Sequence, residues 1–243
     1  MWIDYIKMEI LTEKHKIFFE KNGYLVVENI IEDKKCDDYL NHCLEYAKKI
    51  GNENLTEMLQ IHKHVPETFD LMRNKNVVSV IEQILDGESF GLQSVFSLKK
   101  AGTPSAKHAW NPHQDNTYIK AESDKYVSGD IVLDDHLPDS GCLYVYPGSH
   151  MEKILPFEPN LSFGNKENIN PGNKVIKIPE RYKKTTLHLK KGSLLMFHSH
   201  LIHGSYANTS KDNWRPLLLM AFIRKGAKFY EGRNANRIPI KLR

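Results

Sequence analysis

Hydrophobic and polar residues follow two different periods along the chain, and the change falls near residue 90. Before it, apolar positions recur at helical spacing. They predict four helices with one strand among them. The first helix carries Ile17, Phe18 and Phe19 on or near its buried face. The predicted elements are helices over Thr12–Lys21, Asp33–Ile50, a stretch from Pro66 onward and Val77–Leu85, and a strand over Tyr24–Val27.

After residue 90 the apolar runs are short, and glycine, proline, asparagine and aspartate separate them. Many short strands with turn residues between them are typical of a sandwich or barrel, and a jelly roll with flanking N-terminal helices accounts for the order. We expect one domain over 1–243, with a helical flank over 1–89 and a jelly-roll core over 90–243. The predicted strands are Leu92–Leu98, Tyr126–Leu133, Cys142–Tyr146, Lys174–Ile178, Thr185–Leu189, Ser193–Phe197 and Leu217–Ile223.

Composition narrows the functional classes. The 34 basic and 30 acidic side chains give a formal charge of +4 without a long run of one sign, which argues against a nucleic-acid-binding stripe. No stretch approaches the roughly 20 apolar residues of a membrane span. Three cysteines without a paired motif favour reduced thiols, and we expect a cytoplasmic protein. The segment 156–173, rich in proline, asparagine and glycine, predicts a long surface loop of the kind that often forms a lid.

The first candidate for chemistry is the sequence His113-Gln114-Asp115. Residues two apart in an extended strand point to the same face, so His113 and Asp115 could hold a metal together while Gln114 points away. Such a pair alone is weak evidence, because many chains contain it by chance.

A second cluster follows the predicted strand Ser193–Phe197, where His198, His200 and His203 lie close together. By spacing, any of the three could be the third ligand of a 2-His-1-carboxylate site, which is typical of non-haem Fe(II) oxygenases. Arg215 comes next, at the start of an apolar run. A guanidinium that enters a core strand needs a partner, and beside a metal site a bound carboxylate is a suitable one.

Three blocks together resemble the phytanoyl-CoA dioxygenase family: WNPHQDNTYIKA (110–121), DSGCLYVYPGSH (139–150) and GSLLMFHSHLIHGSYANTSKDNWRPLL (192–218). The N-terminal stretch 12–31 is also similar to the opening of that family, so the resemblance covers nearly the whole chain. It implies a double-stranded β-helix, a jelly-roll variant, and Fe(II)- and 2-oxoglutarate-dependent oxygenase chemistry. In that chemistry O2 and a small-molecule substrate react with release of succinate and CO2.

The resemblance also implies roles by position. His113, Asp115 and His203 match the iron ligands, which leaves His198 and His200 outside the set. Arg215 and Ser205 match the groups that hold 2-oxoglutarate, and Lys63 loosely matches a lysine near it. Five residues match a turn that we interpret as scaffold: Gly141, Pro147, Gly148, Ser149 and His150.

The substrate is less constrained. Asp130 stands where many members of the family have tryptophan, and this change could reshape the cosubstrate wall or the substrate pocket. Thr117 and Tyr118, next to the metal strand, are the expected substrate-facing pair. Lysines flank this strand and could steer a small anion such as a phosphonate, an amino acid or a natural-product intermediate, although solvated lysines are the simpler interpretation: Lys99, Lys100, Lys107, Lys120 and Lys125.

Two other functional classes remain open. One is a protein on this scaffold that binds metal and 2-oxoglutarate without turnover. The other is a cupin-like zinc hydrolase that uses His198, His200 and His203. Because Asp115 fills the position that related halogenases leave free for chloride, the resemblance favours hydroxylation over halogenation.

Overall fold

The computed structural model describes residues 10–52, 57–159, 174–232 and 235–243. The fold is mainly β, with helices on one side, as the pattern of apolar residues predicts. In the described ranges no helix is both long enough and apolar enough to cross a membrane. The α-helices are α1 (Glu13–Asn22), α2 (Asp33–Lys49), α3 (Pro66–Met72), α4 (Lys75–Leu85) and the short α5 (Asn116–Ile119).

Local signals fix the ends of these helices. Gly23 ends α1 in a left-handed conformation, with φ at 78°, which costs glycine little. The side chain of Asn74 accepts hydrogen bonds from the first backbone amides of α4 and so begins that helix. The expected buried face of α1 is narrower than predicted, because Phe19 is buried whereas Ile17 and Phe18 are exposed. Neighbouring helical residues point about 100° apart, so one of the three faces the core.

The predicted strands all have counterparts, with small shifts at their ends. Additional strands are short or begin in polar sequence, where period-two alternation cannot be recognised. The strands are β1 (Tyr24–Val27), β2 (Glu57–Leu59), β3 (Ser89–Lys99), β4 (Trp110–His113), β5 (Tyr126–Val132), β6 (Leu143–Val145), β7 (Phe157–Pro159), β8 (Lys174–Ile176), β9 (Thr185–Thr186), β10 (Leu194–His198), β11 (His203–Ser205), β12 (Arg215–Arg224) and β13 (Ile240–Lys241).

The strands form two facing antiparallel sheets and a small ribbon. The major sheet has the order β1-β10-β5-β12-β3-β13, with β2 paired to β3 as well. The minor sheet has the order β4-β11-β6-β9, and β7 pairs with β8. Strands β1 and β2 come from the N-terminal part of the chain, so this part contributes to the sheet as well as to the helical flank. Part of the predicted loop 156–173 forms β7, and 160–173 lies outside the described residues.

Alternation along the major sheet separates two cores. On β10, Leu194 and Met196 pack with the helices, whereas Leu195 and Phe197 pack toward the minor sheet. The same parity holds on β12, where Leu218 faces the helices and Leu217 the minor sheet. The interior of the jelly roll therefore receives every second residue of β3, β5, β10 and β12, and the functional side chains described below enter it from these positions.

Candidate metal and cosubstrate site

Three side chains that can bind a metal meet beside the paired strands β4 and β11 of the minor sheet. His113 ends β4, His203 begins β11, and the two are paired across these antiparallel strands. One ligand atom from each histidine and one from Asp115 lie within 4.8 Å of one another. The Asp115 Oδ1 atom is 3.6 Å from the Nε2 atom of each histidine. The structure thus brings together the three residues that the resemblance assigns as iron ligands.

The backbone around Asp115 differs from the predicted strand. The strand ends at His113, and Asp115 takes helical dihedral angles, with φ at −60° and ψ at −33°, as α5 begins. The Asn116 amide donates to the Ser199 carbonyl at 2.9 Å, which ties this turn to the segment before His203. The carboxylate therefore reaches the histidines from a turn. Gln114 points away, as predicted, and its amide donates to the His200 carbonyl at 2.8 Å.

Backbone carbonyls orient both imidazoles. The His113 Nδ1 atom lies 2.8 Å from the Asn111 carbonyl, and the His203 Nδ1 atom lies 3.0 Å from the Leu201 carbonyl. A carbonyl only accepts, so each Nδ1 carries the proton and each Nε2 keeps its lone pair for a metal. Burial, and then the neighbouring His203, lower the pKa of His113 to about 4, which keeps this ring neutral.

The third ligand is held by a hydroxyl. Ser128 on β5 donates to the Asp115 Oδ2 atom at 2.7 Å, and the Tyr126 hydroxyl lies 3.1 Å from the Ser128 Oγ atom. With Oδ2 engaged, Oδ1 faces the two imidazoles. No motif in the sequence marks Ser128, although its place two residues before Asp130 on an interior face of β5 follows from strand parity.

The other two histidines of the cluster face elsewhere. His198 has the parity of Leu194 and Met196, so it points to the helix side of the sheet, where its Nε2 atom is 3.4 Å from the Asp124 Oδ1 atom. The His200 Nε2 atom lies 3.0 Å from the side-chain amide nitrogen of Asn116, and its Nδ1 atom lies 3.1 Å from the Glu152 backbone carbonyl. In the part of the chain that the structure describes, His198, His200 and His203 do not form a group that could hold zinc.

Two buried cations lie next to the metal site. Arg215 and Lys99 are paired across β12 and β3, and each is 2% exposed. The Lys99 Nζ atom donates to the Ser205 Oγ atom at 2.8 Å and also to the Tyr206 carbonyl. The guanidinium of Arg215 is 3.4 Å from the Ser97 hydroxyl, and its Nε donor has no partner among the described residues.

The protonation of this pair depends on what binds there. Burial, and then the adjacent Arg215, lower the pKa of Lys99 to about 6. Burial raises the pKa of Glu57 on β2 to about 7, although Arg215 and Lys99 favour its ionised form. Two cations side by side in a dry interior are costly without anions. A bound carboxylate would relieve that cost, and Ser205 is positioned to bond the same group.

Asp130 and His136 lie near Arg215, and neither provides a negatively charged partner for its guanidinium. Both are buried, and neither side chain has a hydrogen-bond partner among the described residues. Burial, and then the charge of Asp115, raise the pKa of Asp130 well above its ordinary value, so the carboxyl is neutral. Burial, and then Arg215, lower the pKa of His136. Asp130 therefore does not balance the positive charge of Arg215.

A cavity of about 480 Å³ opens from Asp115 toward β3 and the C-terminal segment. Of the residues expected to face the substrate, Tyr118 lies on its wall, whereas Thr117 and Asp130 do not. Lys63 is exposed on a short 3₁₀ turn (Ile61–Lys63) and is not brought to the cavity; Lys99 takes the position beside Arg215 instead. The polar or aromatic side chains of the wall are Glu57, Gln93, Trp110, Asp115, Tyr118, Tyr126, Ser128 and Arg237.

The turn that contains Gly148 and Ser149, interpreted above as scaffold, contacts the backbone next to the ligand His203. Gly148 has φ at 80°, and its amide donates to the Asn22 carbonyl at 2.9 Å. The Ser149 hydroxyl accepts from the Ile202 amide at 2.9 Å, one residue before His203. These contacts act on the backbone, in agreement with a scaffold role for the turn.

The donor set fits a divalent transition metal. Two neutral imidazoles and one carboxylate occupy one side of an ion and leave the positions toward the cavity for other ligands, an arrangement that is typical of non-haem Fe(II). The remaining groups fit a dicarboxylate cosubstrate, because Arg215, Lys99 and Ser205 offer donors at the closed end of the interior.

Comparisons with known proteins agree with this geometry. Human peroxisomal phytanoyl-CoA dioxygenase is 23% identical over 83% of this chain, which spans 65% of that protein, and ectoine dioxygenase of Nocardia farcinica is 22% identical over 78% of this chain and 70% of that protein. The epimerase SnoN, solved with Fe3+, alpha ketoglutarate and nogalamycin RO, has the same fold, with a TM-score of 0.71 at 16% identity over 89% of this chain and 85% of SnoN. The family model for phytanoyl-CoA dioxygenase matches residues 19–217. The chain belongs to the phytanoyl-CoA dioxygenase family.

Proposed function

We propose that this protein is an Fe(II)- and 2-oxoglutarate-dependent dioxygenase that hydroxylates an aliphatic C–H bond of a small anionic metabolite. The observation that carries the proposal is the combination of two buried features. One is the group formed by His113, Asp115 and His203. The other is the pair of basic side chains Arg215 and Lys99, which lie beside the Ser205 hydroxyl and have no ionised partner in the adjacent Asp130.

His113, Asp115 and His203 would hold the iron, and the donors of Arg215, Lys99 and Ser205 would bind the distal carboxylate of 2-oxoglutarate. When bound, Fe(II) supplies O2 activation coupled to oxidative decarboxylation: substrate, 2-oxoglutarate and O2 give hydroxylated substrate, succinate and CO2. The protein itself contributes position and dryness. Ser128 fixes Asp115, the two backbone carbonyls fix the imidazoles, and the burial of both histidines limits their contact with water.

The cavity sets the scale of the substrate. Its volume of about 480 Å³ is in the range of small-molecule sites and suits a metabolite of modest size. Val95, Ile119, Leu219 and Ala221 give it an apolar wall, against which an aliphatic part of the substrate would lie. Ectoine dioxygenase, one of the relatives, is named for a small metabolite.

The experiment has two stages. Anaerobic calorimetry first measures Fe(II) and 2-oxoglutarate binding, and a screen of small acids with O2 then measures succinate formation that depends on the added compound. Asp115→Ala should abolish turnover, whereas the control Asp124→Ala, which removes an exposed carboxylate outside the site, should retain it.

Each stage can contradict the proposal. Absence of Fe(II) or 2-oxoglutarate binding would refute it outright. Binding without succinate formation for any compound would favour a protein that binds metal and 2-oxoglutarate without turnover. Full activity of Asp115→Ala would remove that residue from the ligand set.

A further inference from the structure

A second buried guanidinium faces the cavity, far from the Arg215–Lys99 pair. Arg237 belongs to the segment after β12, is 8% exposed and lies on the cavity wall. We propose that Arg237 binds the anionic group of the substrate, a carboxylate or a phosphonate, and so determines which small metabolites enter. The inference rests on the proposed function, because the substrate is then the molecule that is oxidised beside the metal ligands.

The C-terminal segment is built to present this side chain. The Arg237 amide donates to the Glu231 carbonyl at 2.9 Å, and the Asn236 amide donates to the Gly232 carbonyl at 3.0 Å. Gly232 has φ at 78°, and a Cβ atom there would lie 2.7 Å from the Arg237 Nη1 atom. Gln60 donates to the Ala235 carbonyl at 2.7 Å and so joins the segment to the turn after β2.

The contacts of the guanidinium leave its charge without a counter-ion. Its Nε atom donates to the Gln93 side-chain oxygen at 2.7 Å, and Nη1 lies 3.4 Å from the carbonyls of Tyr118, Tyr230 and Glu231. Within the described ranges no carboxylate forms an ion pair with Arg237, and its hydrogen bonds there use Nε and Nη1 but not Nη2. Burial is the main cause that lowers the pKa of Arg237, whereas Tyr126 and Asp115 raise it. A buried cation without an ion pair is costly, and a ligand anion would offset that cost.

Position along β3 separates the two cationic regions. Gln93, which bonds Arg237, precedes Lys99 by six residues on this strand, so their Cα atoms are about 20 Å apart at about 3.3 Å per residue. A five-carbon cosubstrate bound at Arg215 and Lys99 therefore leaves Arg237 for another molecule. The cavity wall to which Arg237 belongs also carries Tyr118, Trp110 and apolar side chains, which suit the uncharged part of a substrate.

The simpler explanation is that Arg237 only fastens the C-terminal segment through Gln93 and the carbonyls. The two roles predict different results. A purely structural arginine would affect unfolding and all ligands alike, whereas an anion-binding arginine would affect the preference for anions over uncharged analogues. The guanidinium can also form two parallel bonds to a carboxylate or phosphonate, which lysine cannot reproduce.

The experiment uses the full chain loaded with Mn(II) and 2-oxoglutarate. Short aliphatic carboxylates and phosphonates, each with its uncharged amide or ester, are titrated by calorimetry. Wild type should bind the anions at least about tenfold more tightly than the uncharged analogues, as expected for a charge-assisted bond. Arg237→Gln should lose this preference and Arg237→Lys should recover part of it, while the affinity for 2-oxoglutarate changes by less than about twofold. The control Arg243→Gln, at an arginine that pairs with Glu82 and is 67% exposed, should keep the preference.

Several outcomes would overturn the inference. They are equal binding of anions and uncharged analogues by wild type, no binding of any anion in the panel, an intact preference in Arg237→Gln, or a loss of 2-oxoglutarate affinity as large as the loss of anion affinity. Thermal unfolding of each variant shows whether it is folded, and Arg237→Lys keeps the test valid if Arg237→Gln does not fold. Failure of the proposed function is seen separately, in the titration with 2-oxoglutarate alone. Anion binding that depends on Arg237 would then still support the inference.

Discussion

Replacing Ser128 with alanine should weaken Fe(II) binding by about tenfold while the protein stays folded. The Ser128 hydroxyl donates to the Asp115 Oδ2 atom at 2.7 Å and leaves Oδ1 facing the histidines. A hydrogen bond to a charged group contributes about 1.5–3 kcal/mol. The side chain of Asp115 is 22% exposed, so water can replace part of the lost bond. The lower end of that range, about 1.5 kcal/mol, corresponds to about a tenfold change in the dissociation constant.

The assay is anaerobic calorimetry with Fe(II), repeated with Mn(II), on wild type and on the variant. Tyr126→Phe is the matched control, because the Tyr126 hydroxyl lies 3.1 Å from the Ser128 Oγ atom and is one bond further from the carboxylate. Its effect on the dissociation constant should be smaller than that of Ser128→Ala. Equal affinities of wild type and a folded Ser128→Ala would refute the reasoning, and so would a larger loss in Tyr126→Phe.

Three further changes test the buried site. Lys99→Met should weaken 2-oxoglutarate binding by about ten- to a hundredfold, and the control Lys100→Met should not. The pKa of Lys99 is lowered to about 6, and a bound anion favours the charged form of this side chain. Wild-type affinity for 2-oxoglutarate should therefore fall as pH rises above 6, with proton uptake on binding that calorimetry in two buffers measures. Asp130→Asn should change the free energy of unfolding by less than about 1 kcal/mol in denaturant titrations, because burial keeps the carboxyl neutral; a loss above about 3 kcal/mol would instead show an ion pair. Gly204→Ala should cost about 1–3 kcal/mol by the same assay, since its Cβ atom would lie 2.6 Å from the Trp110 carbonyl, and unchanged stability would contradict this.

Strand parity explains why part of this site was predictable from the sequence. The alternation that makes Leu194 and Met196 face the helices also turns His198 away from the interior. Both faces of β10 are buried, so the sequence gives the parity, and the structure supplies which face turns toward the helices. Parity separates His198 from the metal site by a physical route that is independent of the family resemblance.

Other parts of the site depend on contacts between distant segments. Lys99 ends the apolar run of β3, and its sequence neighbourhood looks like that of a solvated lysine. Its burial follows from the pairing of β3 with β12, which places it across from Arg215. Arg237 lies 119 residues after Tyr118, whose carbonyl it contacts, and no local pattern marks it. The turn at Asp115 was also missed, because its cause is a bond from Asn116 to the distant Ser199.

The two cationic regions share a property that bears on the stability of the fold. Lys99 and Arg237 are held by carbonyls, a hydroxyl or an amide side chain, and Arg215 by a hydroxyl. Dipoles of this kind fix the position of a charge but do not neutralise it. The desolvation cost therefore persists at Arg215 and Arg237 until an anion binds, whereas Lys99, with its pKa lowered to about 6, avoids the cost by losing its proton and regains its charge when an anion binds. Any ligand that supplies the anion should raise the apparent stability in proportion to the logarithm of its concentration. We therefore expect the cosubstrate to offset the desolvation cost at Arg215 and the substrate to offset the cost at Arg237, so that each ligand stabilises the fold independently of the other.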